Sequence, residues 1–193
     1  MDLFSNCGYL AVHFANRVLN KYSESQEVRL IFDRYDIPSS LKAATIVKRQ
    51  GNSDPIYYRI TDTTHITKVP LKRLISHTKT KKELAAYLAK KTLDYAERQG
   101  KQFVVAWESE CKATHKDVSH LRSNHEEADT KIILHAVDAS SSAAQEVYIH
   151  SPDTDVLVLV IRRIRATSSS SLLEDHQISA ASSLSQLLKL SGQ

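Results

Sequence analysis

Apolar residues at Leu10, Phe14, Val18 and Leu19 recur at helical spacing and predict a helix over residues 8–22. Ser23 to Gln26 is polar and turn-like. Val28-Arg29-Leu30-Ile31-Phe32 has the length and apolar content of a short strand, and it ends on Asp33. The stretch from Asp36 to Ser40 reads as a loop, with Ser39 or Ser40 placed to cap a helix from Leu41 to Arg49. Gly51 to Pro55 ends that helix. Ile56 to Thr67 alternates weakly and reads as an extended pair.

The clearest helical pattern runs from Lys81 to Arg98, with Leu84, Leu88 and Tyr95 as its apolar stripe and Gly100 as its stop. Its surface is basic at Lys81, Lys82, Lys90, Lys91 and Arg98. Gln102 to Trp107 is a second strand, followed by a polar loop to about Asn124. Glu126 to Val137 predicts a helix that can bury Ile132, Ile133, Ala136 and Val137. Val147 to His150 is a third strand, and it leads into Ser151-Pro152-Asp153-Thr154-Asp155. Val156 to Ile164 reads as a helix or a strand. Beyond Arg165 serine dominates, including four in a row at Ser168 to Ser171. That composition predicts a flexible low-complexity tail over 166–193, weakly amphipathic at Leu184, Leu187 and Leu188, after one domain over 1–165. Strands alternating with helices predict an α/β fold with a central, mostly parallel sheet flanked by helices.

Composition narrows the chemistry. The 193 residues are 41% hydrophobic and 25% charged, ordinary for a globular protein. The formal charge is +4 and the pI about 9.0, which suits a nucleic-acid partner without requiring one. Only four glycines occur, and neither GxxxxGK nor GxGxxG is present, so a glycine-rich phosphate loop is not expected. Cys7 and Cys111 form no CxxC pair and are expected as free thiols. The histidines show no HExxH motif. No apolar run approaches membrane-spanning length, and residues 1–2 do not open a signal peptide, so an intracellular location, nucleus or cytoplasm, is expected.

Three acidic groups stand where open α/β sheets collect ligands, outside the carboxyl ends of strands. Asp33 ends one strand. Asp153 and Asp155 follow another. Glu126, Glu127 and Asp129 open a helix. Such carboxylates suit a pair of hard divalent ions that activate water and stabilise a leaving oxygen in phosphodiester hydrolysis. Each group also has a plainer reading. Asp153-x-Asp155 fits a capping turn, and Ser123-x-x-Glu126 and Asn124-x-x-Glu127 both fit capping boxes. Helical spacing puts Glu126 and Asp129 on one face and pairs Glu127 with Lys131. Lys42 and Arg49 are seven apart on one helix face, placed to reach a phosphate or to form a solvated basic face.

Taken in order, these residues resemble the flap endonuclease and PIN-like nuclease superfamily. Ile31-Phe32-Asp33 with Leu41 to Arg49 is similar to its strand-end motif and the helix that follows. Glu127-Ala128-Asp129 and Ser151 to Leu157 are similar to its two later acidic elements. Asn124 to Ile132 together with Ser151 to Leu159 resembles uncharacterised animal proteins with a PIN-like domain. The resemblance implies a three-layer fold and two Mg²⁺ or Mn²⁺ ions held by Asp33, Glu127, Asp129, Asp153 and Asp155, with Glu126 in reserve. It also implies Lys42 and Arg49 on the scissile phosphate. DNA or RNA would meet Lys42, Lys48, Arg49, Lys81 and Lys82. The family's first acidic strand and its later G-x-D element have no match here, so a truncated copy, incomplete at both ends, is expected. The remaining alternatives are a non-catalytic nucleic-acid or protein-binding remnant of the fold, and a haloacid dehalogenase-type phosphohydrolase built on Asp153.

Overall fold

The computed structural model describes residues 5–35, 56–66, 71–125, 128–142, 144, 146–151, 155–156, 158–162, 177–181 and 187–191. Helix α1 is Cys7–Lys21, capped by the Asn6 side chain, whose Oδ1 accepts from Tyr9 N at 3.0 Å. Strand β1 is Glu27–Ile31. A single turn, α2 (Leu71–Leu74), precedes the long helix α3 (Thr78–Arg98), which begins three residues before the predicted start. Strands β2 (Gln102–Trp107) and β3 (Glu110–Ala113) come next, then a 3₁₀ turn at Ser119–Leu121 and helix α4 (Ala128–Ser141). Strand β4 is Glu146–His150. Asp155, Val156 and residues 158–162 are helical, which decides between the two readings of that apolar run.

Strands β5 (Gln177–Ala181) and β6 (Leu187–Ser191) complete a six-stranded sheet in the order β3-β2-β1-β6-β4-β5. For these ten residues the expectation of a flexible tail is corrected, because both segments hydrogen-bond into the sheet. Serine-rich composition masked the short apolar run Leu187-Leu188-Lys189-Leu190, which is long enough for a strand. The expected mostly parallel sheet is also corrected to a mixed one. Pairs β1–β2 and β4–β5 are parallel, while β2–β3, β1–β6 and β4–β6 are antiparallel. One cause is local: Glu108 and Ser109 alone separate β2 from β3, and so short a connection joins only antiparallel strands. The other is β6, which enters between β1 and β4 against both. It follows that β1, β2, β4 and β5 run one way, and their carboxyl ends share one edge.

Side chains alternate across the sheet, and both faces are covered. Val28 and Leu30 of β1 and Phe103, Val105 and Trp107 of β2 pack against Val18 and Leu19 of α1 and Ala89 and Ala96 of α3. Ile31, Val104, Ala106, Val147 and Ile149 pack on the other side against Ala128, Ile132, Ala136 and Ala139 of α4 and against Val156 and Val160. Each buried Val, Leu, Ile or Phe among these contributes about 1.5–3 kcal/mol of transfer free energy. The β1–α3–β2 crossover therefore lies on one face and the α4 connection to β4 on the other. Chain direction away from β1 reverses between them, so the carboxyl end of β1 is a topological switch point.

Residues 56–66 form no strand, which corrects the expected extended pair. They lie extended along α3, with Tyr58 N donating to Thr80 Oγ1 at 3.0 Å and Ile60 N to Glu83 Oε2 at 3.2 Å. At its far end the segment meets the start of α1, where Gly8 N donates to Asp62 O at 3.1 Å. A Cβ on Gly8 would stand 3.1 Å from that same oxygen, so the close approach favours glycine.

Candidate functional site

The switch point is polar. Asp33 follows β1, and its Oδ1 accepts from Ala128 N, the first residue of α4, at 2.9 Å. This bond carries the strand-end carboxylate to the helix N-terminus, whose positive dipole end favours it. Asp129, the next residue of α4, is buried there. The fold thus brings two of the expected acidic residues to one place. Asp155 is exposed and helical just after β4, on the same edge of the sheet. Strand β6 lies between β1 and β4, so their axes are two strand spacings apart, about 10 Å. Glu126, Glu127, Asp153, Lys42, Lys48 and Arg49 lie outside the described residues, as does the predicted helix from Leu41 to Arg49. Among the described residues no three metal-type ligands converge.

Two residues that the sequence did not single out complete this pole. Glu108 holds the only positive backbone φ among the described non-glycine residues, 48°, in the two-residue turn between β2 and β3. Its Oε1 accepts from Tyr35 N at 3.2 Å, and its Oε2 lies 4.0 Å from Arg34 Nε. Arg34 also donates to Asn124 O at 3.0 Å. The strained turn thus clamps the chain just beyond Asp33. Lys131, which helical spacing pairs with Glu127, is buried, and its Nζ donates to Glu108 O at 2.5 Å. Burial pushes the Lys131 ammonium below its usual range, and the Glu108 and Asp33 carboxylates partly offset that push. Burial, then Asp33 and Glu108, push the Tyr35 hydroxyl up to about 12. A positive φ has no signature in the dipeptide Glu108-Ser109. Lys131 lies between the buried Asp129 and Ile132, and that position was its one signal.

A second polar cluster sits below, toward the amino end of β1. Arg29 is fully buried on the α4 face. Its Nε donates to Glu27 Oε1 at 2.6 Å, and its Nη1 donates to His135 O at 2.9 Å and meets Asp138 Oδ2 at 2.8 Å. His115 and Lys116 reach the other Glu27 oxygen at 2.7 and 2.5 Å, and His120 meets Asp138 at 2.5 Å. Burial pushes the Glu27 carboxyl up, but Arg29 and Lys116 outweigh it and hold the group below the usual range. Asp138 is likewise raised by burial and lowered further by His120 and Arg29. His135 is buried beside Arg29 with neither ring nitrogen hydrogen-bonded, and burial and that guanidinium press it down to about 3.

Both cysteines are free thiols, as expected from sequence, and both are buried. No helix among the described residues is long and apolar enough to cross a membrane. No protein-family model, curated protein or solved structure matches the chain.

Proposed function

We propose that this chain carries a metal-dependent nuclease-like domain of the three-layer PIN-like type, whose acidic pole hydrolyses phosphodiesters in DNA or RNA. The observation that carries this reading is the bond from Ala128 N to Asp33 Oδ1, which sets Asp33 beside Asp129 at the switch point of the sheet. The donor set is carboxylate throughout, which fits Mg²⁺ or Mn²⁺ rather than a softer ion. Asp33, Glu127, Asp129, Asp153 and Asp155 would hold two ions, with Glu126 in reserve. Such ions would supply an activated water and charge stabilisation on the leaving oxygen. Lys42 and Arg49 would grip the scissile phosphate, a task for fixed cationic side chains. The Asp33 cap keeps one carboxylate oxygen directed at the helix, so the second oxygen is the one offered to an ion. The Lys131 ammonium lies within the field of this carboxylate.

A second reading has its own support. Asp33 is already engaged as a helix cap, and the buried Lys131 ammonium supplies a local positive charge without any ion. A non-catalytic nucleic-acid-binding remnant would keep both features. Incubation of labelled DNA and RNA with the full chain in Mg²⁺ and in Mn²⁺ separates the two. The nuclease reading expects cleavage that disappears in Asp153→Ala/Asp155→Ala. Binding without cleavage at any concentration of either metal would establish the remnant instead.

A further inference from the structure

Beside the acidic pole, the start of α3 and the extended segment packed on it form a surface of paired rings and cations. Tyr57 is 39% exposed and Ile56 next to it 44%. The Tyr57 ring lies 5.6 Å from that of His77, tilted by 55°, and Lys79 Nζ stands 4.7 Å from its centroid. Glu83 anchors the ring by its edge, because its Oε1 accepts from the Tyr57 hydroxyl at 2.5 Å. The other Glu83 oxygen holds Ile60 N, so this carboxylate is engaged in building the surface. Two residues further along α3, Lys81 Nζ lies 5.9 Å from the Tyr35 ring. Tyr35 is two residues past Asp33 and within its field. Arg59 and Arg73 are exposed in the same part of the fold, and Asp62 is paired with Lys91 at 2.8 Å.

A ring held by its edge, flanked by a second ring and an ammonium, has the features that stack a nucleobase and attract its phosphate. A duplex keeps its base faces inside the stack and cannot use such a ring, whereas a single strand can. Among the described residues of this surface, Ile56 and the ring itself are the exposed large apolar groups, too little for a lipid surface. We propose that Tyr57, His77 and Lys79 form a base-stacking site for single-stranded nucleic acid, with the strand led past Lys81 and Tyr35 toward Asp33. The direction of that path rests on the nuclease reading. The stacking site itself does not.

The test is binding by the full chain in EDTA, where no cleavage occurs, to four labelled probes. They are a short single strand, the same sequence as duplex, an abasic strand with equal phosphates, and inorganic polyphosphate. The single strand is expected to bind most tightly. Tyr57→Ala should weaken it by about 5- to 100-fold. Tyr57→Phe, which keeps the ring, should retain most of the affinity and so separates stacking from any loss of local structure. Lys79→Ala should flatten the salt dependence by about one phosphate contact. No binding of single strands, equal affinity for the abasic strand or polyphosphate, or unchanged binding by Tyr57→Ala would each overturn the proposal. Ring-dependent binding in EDTA combined with no cleavage in Mg²⁺ or Mn²⁺ would refute the nuclease reading alone. Cleavage with no effect of Tyr57→Ala on binding would refute the stacking site alone.

Discussion

Helix α4 carries a polar cluster at each end, and the two are built differently. At its N-terminus Asp33, Asp129, Glu108 and Lys131 gather where strands end and a turn is strained. Toward its C-terminus Asp138 joins Glu27 around Arg29, with His115 and Lys116 also on Glu27 and His120 also on Asp138. The lower cluster ties β1, α4 and the loop after β3 into one unit, so its charges serve the fold. The upper one sits at the sheet edge where α/β folds place ligands, which is where the proposed function puts the chemistry. A buried charge at one end of a helix is therefore no guide to the role of a buried charge at the other. What distinguishes them is their place, one where strand ends meet the start of α4 and the other toward the amino end of β1.

That distinction breaks most visibly at Arg29. Arg29→Ala leaves Glu27 and Asp138 short of their central partner and should cost about 3–5 kcal/mol by urea denaturation. The matched change at the upper pole, Asp33→Asn, keeps an acceptor for Ala128 N and should cost less than about 1 kcal/mol. Equal losses at the two sites would remove the contrast.

A pH series sharpens it next. His135 is pressed down to about 3 in the folded chain, against an ordinary value near 6.5. Between those values the unfolded chain binds a proton that the folded chain does not. Stability should therefore fall as pH drops below about 6.5, with a slope of at most about 1.4 kcal/mol per pH unit. The lowered Glu27 and Asp138 carboxyls add their own loss only at lower pH, as they protonate. Thermal melts of His135→Leu between pH 4.5 and 7 should show a clearly flatter dependence, since no ring nitrogen has a hydrogen bond to lose. A slope as steep as the parent's would place the acid sensitivity elsewhere.

The smallest effect is expected at Glu108. Glu108→Gly relieves a left-handed backbone and also removes the acceptor for Tyr35 N. These changes oppose one another, so stability should move by less than about 1 kcal/mol. Hydrogen exchange at the Tyr35 amide should quicken, and an unchanged rate would show that the clamp is not Glu108.

Much of the scaffold was legible in the sequence, for a physical reason. Strand β2 was predicted with the bounds observed, because a continuous apolar run is what burial on both faces demands. Helix α1 and strand β1 fell within a residue of expectation at each end. Strand β3 was hidden because its turn has neither Gly nor Asn, and relies on Glu108 to adopt φ 48°. Strand β6 was hidden by its serine-rich surroundings. Of the polar groups at the upper pole, the sequence placed Asp33 at a strand end and Asp129 in a first helical turn, both local properties. It did not identify Lys131 or Arg29, because the direction a long cation takes depends on tertiary partners. Helical spacing offers Lys131 a local partner in Glu127, whereas its bond to the Glu108 carbonyl is tertiary.

The central claim is that the upper pole is a metal site built around Asp33. Calorimetric titration of Mn²⁺ into the full chain, beside Asp33→Asn and Arg29→Met, tests it most directly. The account predicts saturable binding by the parent chain, loss of at least about tenfold in affinity for Asp33→Asn, and retained binding by any folded Arg29→Met. Absence of Mn²⁺ binding by the folded parent, or equal binding by Asp33→Asn, would contradict it.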